Sequence, residues 1–148
     1  MINKEINKIL NIVSTDVGNL TTEVVTSKEV HIFESRLEKA TDLKRLSGEQ
    51  SFEMVNTGEC FVVNKGEFEN NSFKYDKDNF IQLLHYSIAM SMPSGNIKLA
   101  TGIPAHQYNQ FRDEMKNKIM MNNKINVKSS SITSTTPSSI IPESYKYL

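Results

Sequence analysis

The chain has 148 residues, and 17 Lys+Arg balance 17 Asp+Glu to a formal charge of zero. That length fits one domain with a real core, and the charge balance supplies no field to draw the chain to nucleic acid or an anionic membrane. The lone cysteine, Cys60, cannot form an internal disulfide, no apolar run approaches the ~20 residues of a bilayer span, and residues 1–8 are too polar for a secretory signal, so a cytoplasmic protein with a reduced thiol is expected.

Residues 9–14 hold the apolar run Ile9-Leu10-Asn11-Ile12-Val13 and read as a first strand. Residues 21–26 and 29–34, rich in Thr, Val and Ile and split by Ser27-Lys28, read as a second and third. Residues 35–50 are polar without an apolar period and are expected as a loop or short helix. Residues 52–56 and 60–64 read as short strands around Thr57-Gly58-Glu59, a hairpin signal, and 65–73 as another polar loop. In 76–92, Phe80, Leu83, Leu84 and Ile88 recur at helical spacing, with Asp76 or Asp78 placed to cap. Residues 97–101 read as a short strand. Pro104 then opens a second helix to about Asn122, with Tyr108, Phe111, Met115 and Ile119 on one face. Residues 124–128 are expected as a last strand. Residues 129–139 are Ser/Thr-rich and compositionally a linker or loop. Antiparallel strands followed by helix, strand, helix, strand give an α/β order with a mixed sheet and flanking helices.

One turn carries chemical potential. Asp16-Val17-Gly18-Asn19-Leu20-Thr21-Thr22 lies between two apolar runs. A glycine lets backbone approach a phosphate oxygen, small polar residues supply donors, and an Asp holds a metal through water. An ordinary Asp/Gly/Asn hairpin turn has the same composition, with Asp16 accepting backbone N–H bonds. His31, His85 and His106 have no ligand spacing among them.

Four segments in order give a resemblance: the Asp16–Thr22 turn, Phe33-Glu34-Ser35-Arg36, Leu99-Ala100-Thr101-Gly102-Ile103-Pro104 with Tyr108 after it, and Ile140-Ile141-Pro142-Glu143-Ser144. Together they resemble the N-terminal half of bacterial actin-like ATPases of the ParM/StbA type, which segregate plasmids. The resemblance implies a ribonuclease-H-like, actin-type N-terminal domain over residues 1–128, with 36–73 as an inserted small subdomain. It further implies 129–139 as a loop and 140–148 as the start of an interdomain segment, the second domain being absent. It implies ATP and Mg as cofactors. Asp16 would place the metal through water, and Gly18, Asn19, Thr21 and Thr22 would face the phosphates. Glu143 would orient the attacking water, the chief task left to a side chain in phosphoryl transfer; without the resemblance, it reads as a first-turn helix residue after Pro142.

Two departures bear on activity. Leu20 stands where the family has a glycine, and Glu23 where it usually has a phosphate-contacting Lys. At about 4 Å a like-charge contact costs on the order of 1–4 kcal/mol. The family's second phosphate loop and adenosine loop do not occur in these residues. The resemblance thus implies ancestral ATP-dependent filament formation for DNA partition in a truncated chain not catalytically competent alone. The partners implied are self or other actin-like subunits and a DNA-binding adaptor protein, without direct nucleic acid or membrane contact. The alternative is a non-catalytic interaction module binding filament subunits or a partner protein. A ribonuclease-H-like nuclease would need more carboxylates than Asp16 and Glu143.

Overall fold

A computed structural model of the chain describes residues 12–41, 50–55, 57–69, 79–91, 97–103, 105–121, 125–127, 132–133 and 139–144. The positions of Asp76, Asp78 and Pro104, expected as helix starts, lie outside the described residues. Among the described residues, ten strands and two helices follow in order: β1 (Ile12–Val17), β2 (Thr21–Val25), β3 (Val30–Glu34), β4 (Arg36–Ala40), β5 (Ser51–Met54), β6 (Cys60–Phe68), α1 (Phe80–Ser91), β7 (Lys98–Ile103), α2 (Ala105–Met121), β8 (Ile125–Val127), β9 (Ile132–Thr133) and β10 (Ser139–Ser144).

The strands form two sheets. Sheet I has the order β10-β7-β1-β2-β3. Its β10, β7 and β1 run parallel, while β2 and β3 are antiparallel additions. Sheet II has the order β4-β6-β5-β8-β9 and is antiparallel throughout. This is the expected α/β fold with a mixed sheet.

One face of sheet I is apolar because alternate residues of β1, β2 and β7 are: Val13, Val17, Val24, Leu99 and Ile103 are all buried. Helix α1 lies on that face, and Phe80, Leu84 and Ile88, at the spacing read in the sequence, are fully enclosed. The helix is buried nearly all round, as a helix packed between two layers must be. Tyr86 faces sheet II and stacks on Phe52 at 5.0 Å, while Phe33 meets its ring edge-on at 5.2 Å. One aromatic side chain of α1 thereby joins the cores of both sheets. Helix α2 buries Met115 and Ile119, with Tyr108 and Phe111 half-buried against the core. His85, in α1, is buried with Nε2 at 3.0 Å from the Ile119 carbonyl. That carbonyl belongs to the last turn of α2, where no intrahelical donor remains, so His85 ties the two helices together. Among the described residues no helix is long and apolar enough to cross a membrane.

Several elements differ from the sequence reading. The first strand, β1, runs to Val17, three residues past the expected end at 14, because inward alternation continues through Val13, Thr15 and Val17; the expected residues 9–11 lie outside the described residues. Residues 36–40, expected as loop or short helix, are β4; only Leu37 is buried there, so the strand exists through pairing with β6 and carries no pattern of its own. Strand β6 runs on to Phe68 through left-handed Asn64 (φ 63°) and Gly66 (φ 93°), opposite a register shift at Arg36/Leu37. A Cβ at Gly66 would stand 2.2 Å from the Leu37 carbonyl oxygen, which requires glycine in that bulge. Sheet II takes β4, β5 and β6 from the 36–73 stretch. The strand expected at 124–128 joins them as β8 instead of continuing sheet I, and β9 falls inside the Ser/Thr-rich run. The place beside β7 goes to β10, so Glu143 lies in a strand and not in a helix's first turn. Pro142 is tolerated because β10 is an edge strand among the described residues, where a missing N–H need break no ladder bond.

Candidate functional site

The hairpin between β1 and β2 is closed by the Gly18 N–H, which donates to the Thr21 carbonyl at 2.9 Å, leaving Asn19 and Leu20 at the tip. Neither tip residue has positive φ, so this is not the primed turn that an Asp/Gly/Asn run ordinarily signals. Glycine is needed at 18 for closeness: a Cβ there would sit 2.7 Å from the Thr21 carbonyl oxygen. The oxygen that Gly18 allows the backbone to approach is the chain's own.

A second fastening comes from the end of β3. Ser35 N–H donates to the Leu20 carbonyl at 2.8 Å, and Ser35 Oγ lies 2.9 Å from Thr22 Oγ1 in a buried pair. Reading residue types alone passed over Ser35 as a site residue. The signal that marked it was the Phe33-Glu34-Ser35-Arg36 segment: Phe33 anchors that segment in the core, Ser35 holds the turn, and Arg36 pairs with Glu34 and lies over the Phe68 ring at 5.2 Å.

The predicted site residues separate by face. Asp16, Asn19 and Thr21 are exposed and Gly18 half-buried. Thr22 is fully buried, its hydroxyl turned to Ser35 on the helix-covered side. Asp16 points to the opposite side, and directly across the ladder stands Glu23, also exposed. Cross-strand partners share a face, so the two carboxylates are neighbours.

The parallel strands add a second relationship. The ladders pair Thr15 with Thr101 and Gly102 with Glu143. One residue further along β1, Asp16 falls level with Gly102. Glu143, Gly102, Asp16 and Glu23 therefore occupy one row across sheet I, at the carboxyl ends of β10, β7 and β1. With strands spaced roughly 4.8 Å apart, the Cα atoms of Asp16 and Glu143 are about 10 Å from each other. Helix α2 starts at Ala105, just past the end of β7 at Ile103, so its N-terminal amides open at the same edge. Open α/β sheets bind ligands outside the carboxyl ends of their strands. Here that edge offers an exposed carboxylate for a hydrated cation, a tight turn, and a helix N-terminus suited to an anion. Glu23 works against a polyphosphate at the same place.

A family model described as the N-terminal domain of actin-like proteins matches residues 14–144. No curated protein matches the sequence. Among solved structures, the chain is similar to the apo psk41 ParM protein at 19% identity and TM-score 0.64, over 89% of this chain and 49% of that one. It is similar to AlfA from B. subtilis plasmid pLS32 in a filament structure, at 17% identity and TM-score 0.68, over 90% and 55%. It is similar to the archaeal actin homologue Ta0583 in complex with ADP, at 14% identity and TM-score 0.63, over 91% and 44%. At these identities the likeness concerns the fold. The chain spans about half the length of these structures.

Proposed function

Because the chain belongs to the family of actin-like protein N-terminal domains, we propose that it forms one wall of a magnesium–nucleotide site in a plasmid-partition filament protein of the ParM/StbA type. Asp16, Gly18, Asn19 and Thr21 line the phosphate edge, and Thr22 serves from behind by holding the turn to Ser35. Asp16 positions the hydrated metal, and Glu143 orients water at the far end of the same row. Bound ATP with magnesium supplies the energy of subunit assembly, the other partners being further actin-like subunits and a DNA-binding adaptor, in the cytoplasm. The observation that carries this reading is the row Glu143–Gly102–Asp16 at the ends of three parallel strands. A single wall neither excludes water nor clamps the phosphates from both sides, so weak binding without turnover is expected of this chain alone.

One observation favours the alternative, a non-catalytic interaction module: Glu23 sits beside Asp16, at the position where a phosphate would need a cation. Backbone amide NMR during titration with magnesium-ATP separates the two. Perturbations centred on residues 16–21 and 102, absent in Asp16→Ala, support the nucleotide wall. No perturbation at millimolar nucleotide, or perturbations that Asp16→Ala leaves unchanged, overturns it in favour of the interaction module.

A further inference from the structure

The free edge of sheet I is β3, and among the described residues no strand lies beyond it. The direction of its main-chain groups follows from the two bonds that frame the β2–β3 hairpin. Thr26 N–H donates to Glu29 O at 3.0 Å, and Ser35 N–H donates to Leu20 O at 2.8 Å. Bonded pairs in an antiparallel ladder alternate, so the odd-numbered residues of β3 bond to β2. The N–H and C=O groups of Val30, Ile32 and Glu34 therefore point away from the sheet. Glu34 bears this out: its N–H donates to Asn64 Oδ1 at 2.9 Å, from the left-handed position in β6. Asn64 thus blunts one end of the edge and leaves the groups of Val30 and Ile32 open. The side chains at those two positions are also exposed, at 59% and 60%, on the face of sheet I opposite the helices. Val25, beside Val30 in the ladder, is 42% exposed and extends the apolar strip. A hollow of about 500 Å³, lined by Ile32, Glu34, Arg36 and Asn64 among others, continues the edge.

An open edge is a template for another strand, and the sequence of this one specifies which. Lys28-Glu29-Val30-His31-Ile32-Phe33-Glu34 is self-complementary about His31. In an antiparallel pairing of two copies with the two-fold axis at His31, Val30 faces Ile32 of the second copy, and Lys28, in the β2–β3 turn with its N–H on Thr26 Oγ1 at 3.3 Å, lies beyond the paired residues toward Glu34 of the second copy. The bonding alternation agrees with this register. Residues 30 and 32 become a hydrogen-bonded pair through the groups that point outward. His31, whose main-chain groups are spent on β2, faces His31 of the second copy as a non-bonded pair. A register shifted by one residue would set outward-pointing groups against inward-pointing ones. A shift by two along the same strand would keep one apolar pair, Ile32 or Val30 against itself, but set the other apolar residue against Glu34 or Lys28.

We propose that β3 pairs edge to edge with β3 of a second copy of this chain, giving a closed two-fold dimer with one continuous sheet. Two-fold pairing ends with two copies, and it uses no residue of the Asp16 edge. It is therefore independent of nucleotide and distinct from filament growth.

Sedimentation velocity at high-micromolar protein, combined with cysteine cross-linking, tests it. Cys60 is buried, so the unmodified chain serves as the control. His31→Cys places two sulfurs across a non-bonded pair with Cα atoms about 4.5 Å apart, within disulfide range, and should cross-link on mild oxidation. Val30→Cys and Ile32→Cys should each cross-link poorly alone and well when mixed. Ile32→Lys, on an exposed position that the fold does not need, should weaken dimerisation at least about tenfold. Lys28→Glu, which sets a like charge toward Glu34 of the second copy, should weaken it as well. A chain that stays monomeric and does not cross-link through His31→Cys overturns the proposal. So does a dimer indifferent to Ile32→Lys, which places the contact elsewhere. Strong hydrogen-exchange protection of the Val30 and Ile32 amides in a dilute monomer also overturns it, because the edge would then be covered by another segment of the same chain.

Discussion

Asp16 on β1 and Glu23 on β2 are cross-strand partners on the exposed face of sheet I. The residue suited to hold a metal thus has a like charge as its neighbour. Opposed like charges on a ladder are destabilising by roughly 0.2–1 kcal/mol, and the second carboxylate also repels an incoming polyphosphate. Glu23→Lys should therefore stabilise the apo chain slightly and raise magnesium-ATP affinity by about tenfold or more, an effect of ~1.4 kcal/mol. Thermal unfolding and the NMR titration read the two effects separately. An unchanged affinity where binding is measurable would show that Glu23 does not face the phosphates.

Gly18→Ala should cost about 1–3 kcal/mol, the range for forcing an extra carbon into a packed position. The added Cβ meets the Thr21 carbonyl at 2.7 Å, and that carbonyl also accepts the bond that closes the turn. Urea unfolding measures the loss. A variant as stable as the parent would mean that the turn opens without penalty.

Burial lowers the pKa of His85 to about 4, against a smaller opposing effect of its bond to the Ile119 carbonyl. The folded chain keeps the ring neutral, while the unfolded chain binds a proton below its ordinary value near 6.5. The associated stability is present in full above pH 6.5 and is lost progressively as pH falls toward 4. The loss reaches up to about 3 kcal/mol. His85→Gln should flatten that part of the stability–pH curve, measured by urea unfolding across the same window. An equally steep fall in the variant would assign the acid sensitivity to other groups.

The α/β class, α1 with its Phe80, Leu84 and Ile88 stripe, and the hairpin at Asp16 were legible because each is a local pattern. Helical spacing, strand alternation and turn composition are set by residues near one another in the chain. Strand β4 was not legible: Arg36–Ala40 buries only Leu37, and pairing with distant β6 makes it a strand. β8 was legible as a strand at 124–128 but not by the sheet it joins, and β10 was not legible as a strand at all. Residues after α2 could have continued sheet I at once, yet β8 adds to sheet II and β10 takes the edge beside β7.

The sequence by itself determined which residue types were available for a phosphate site: the acid, the glycine, the small hydroxyl residues and the contrary Glu23. Only the tertiary structure decided their faces and neighbours. Ladder register set Asp16 against Glu23 and level with Gly102 and Glu143, and strand alternation turned Thr22 inward to Ser35. The physical reason is that register and sheet order are fixed by pairing between segments far apart in the chain. A shift of one residue carries every side chain of a strand to its other face, and no local pattern records which partner a strand will find.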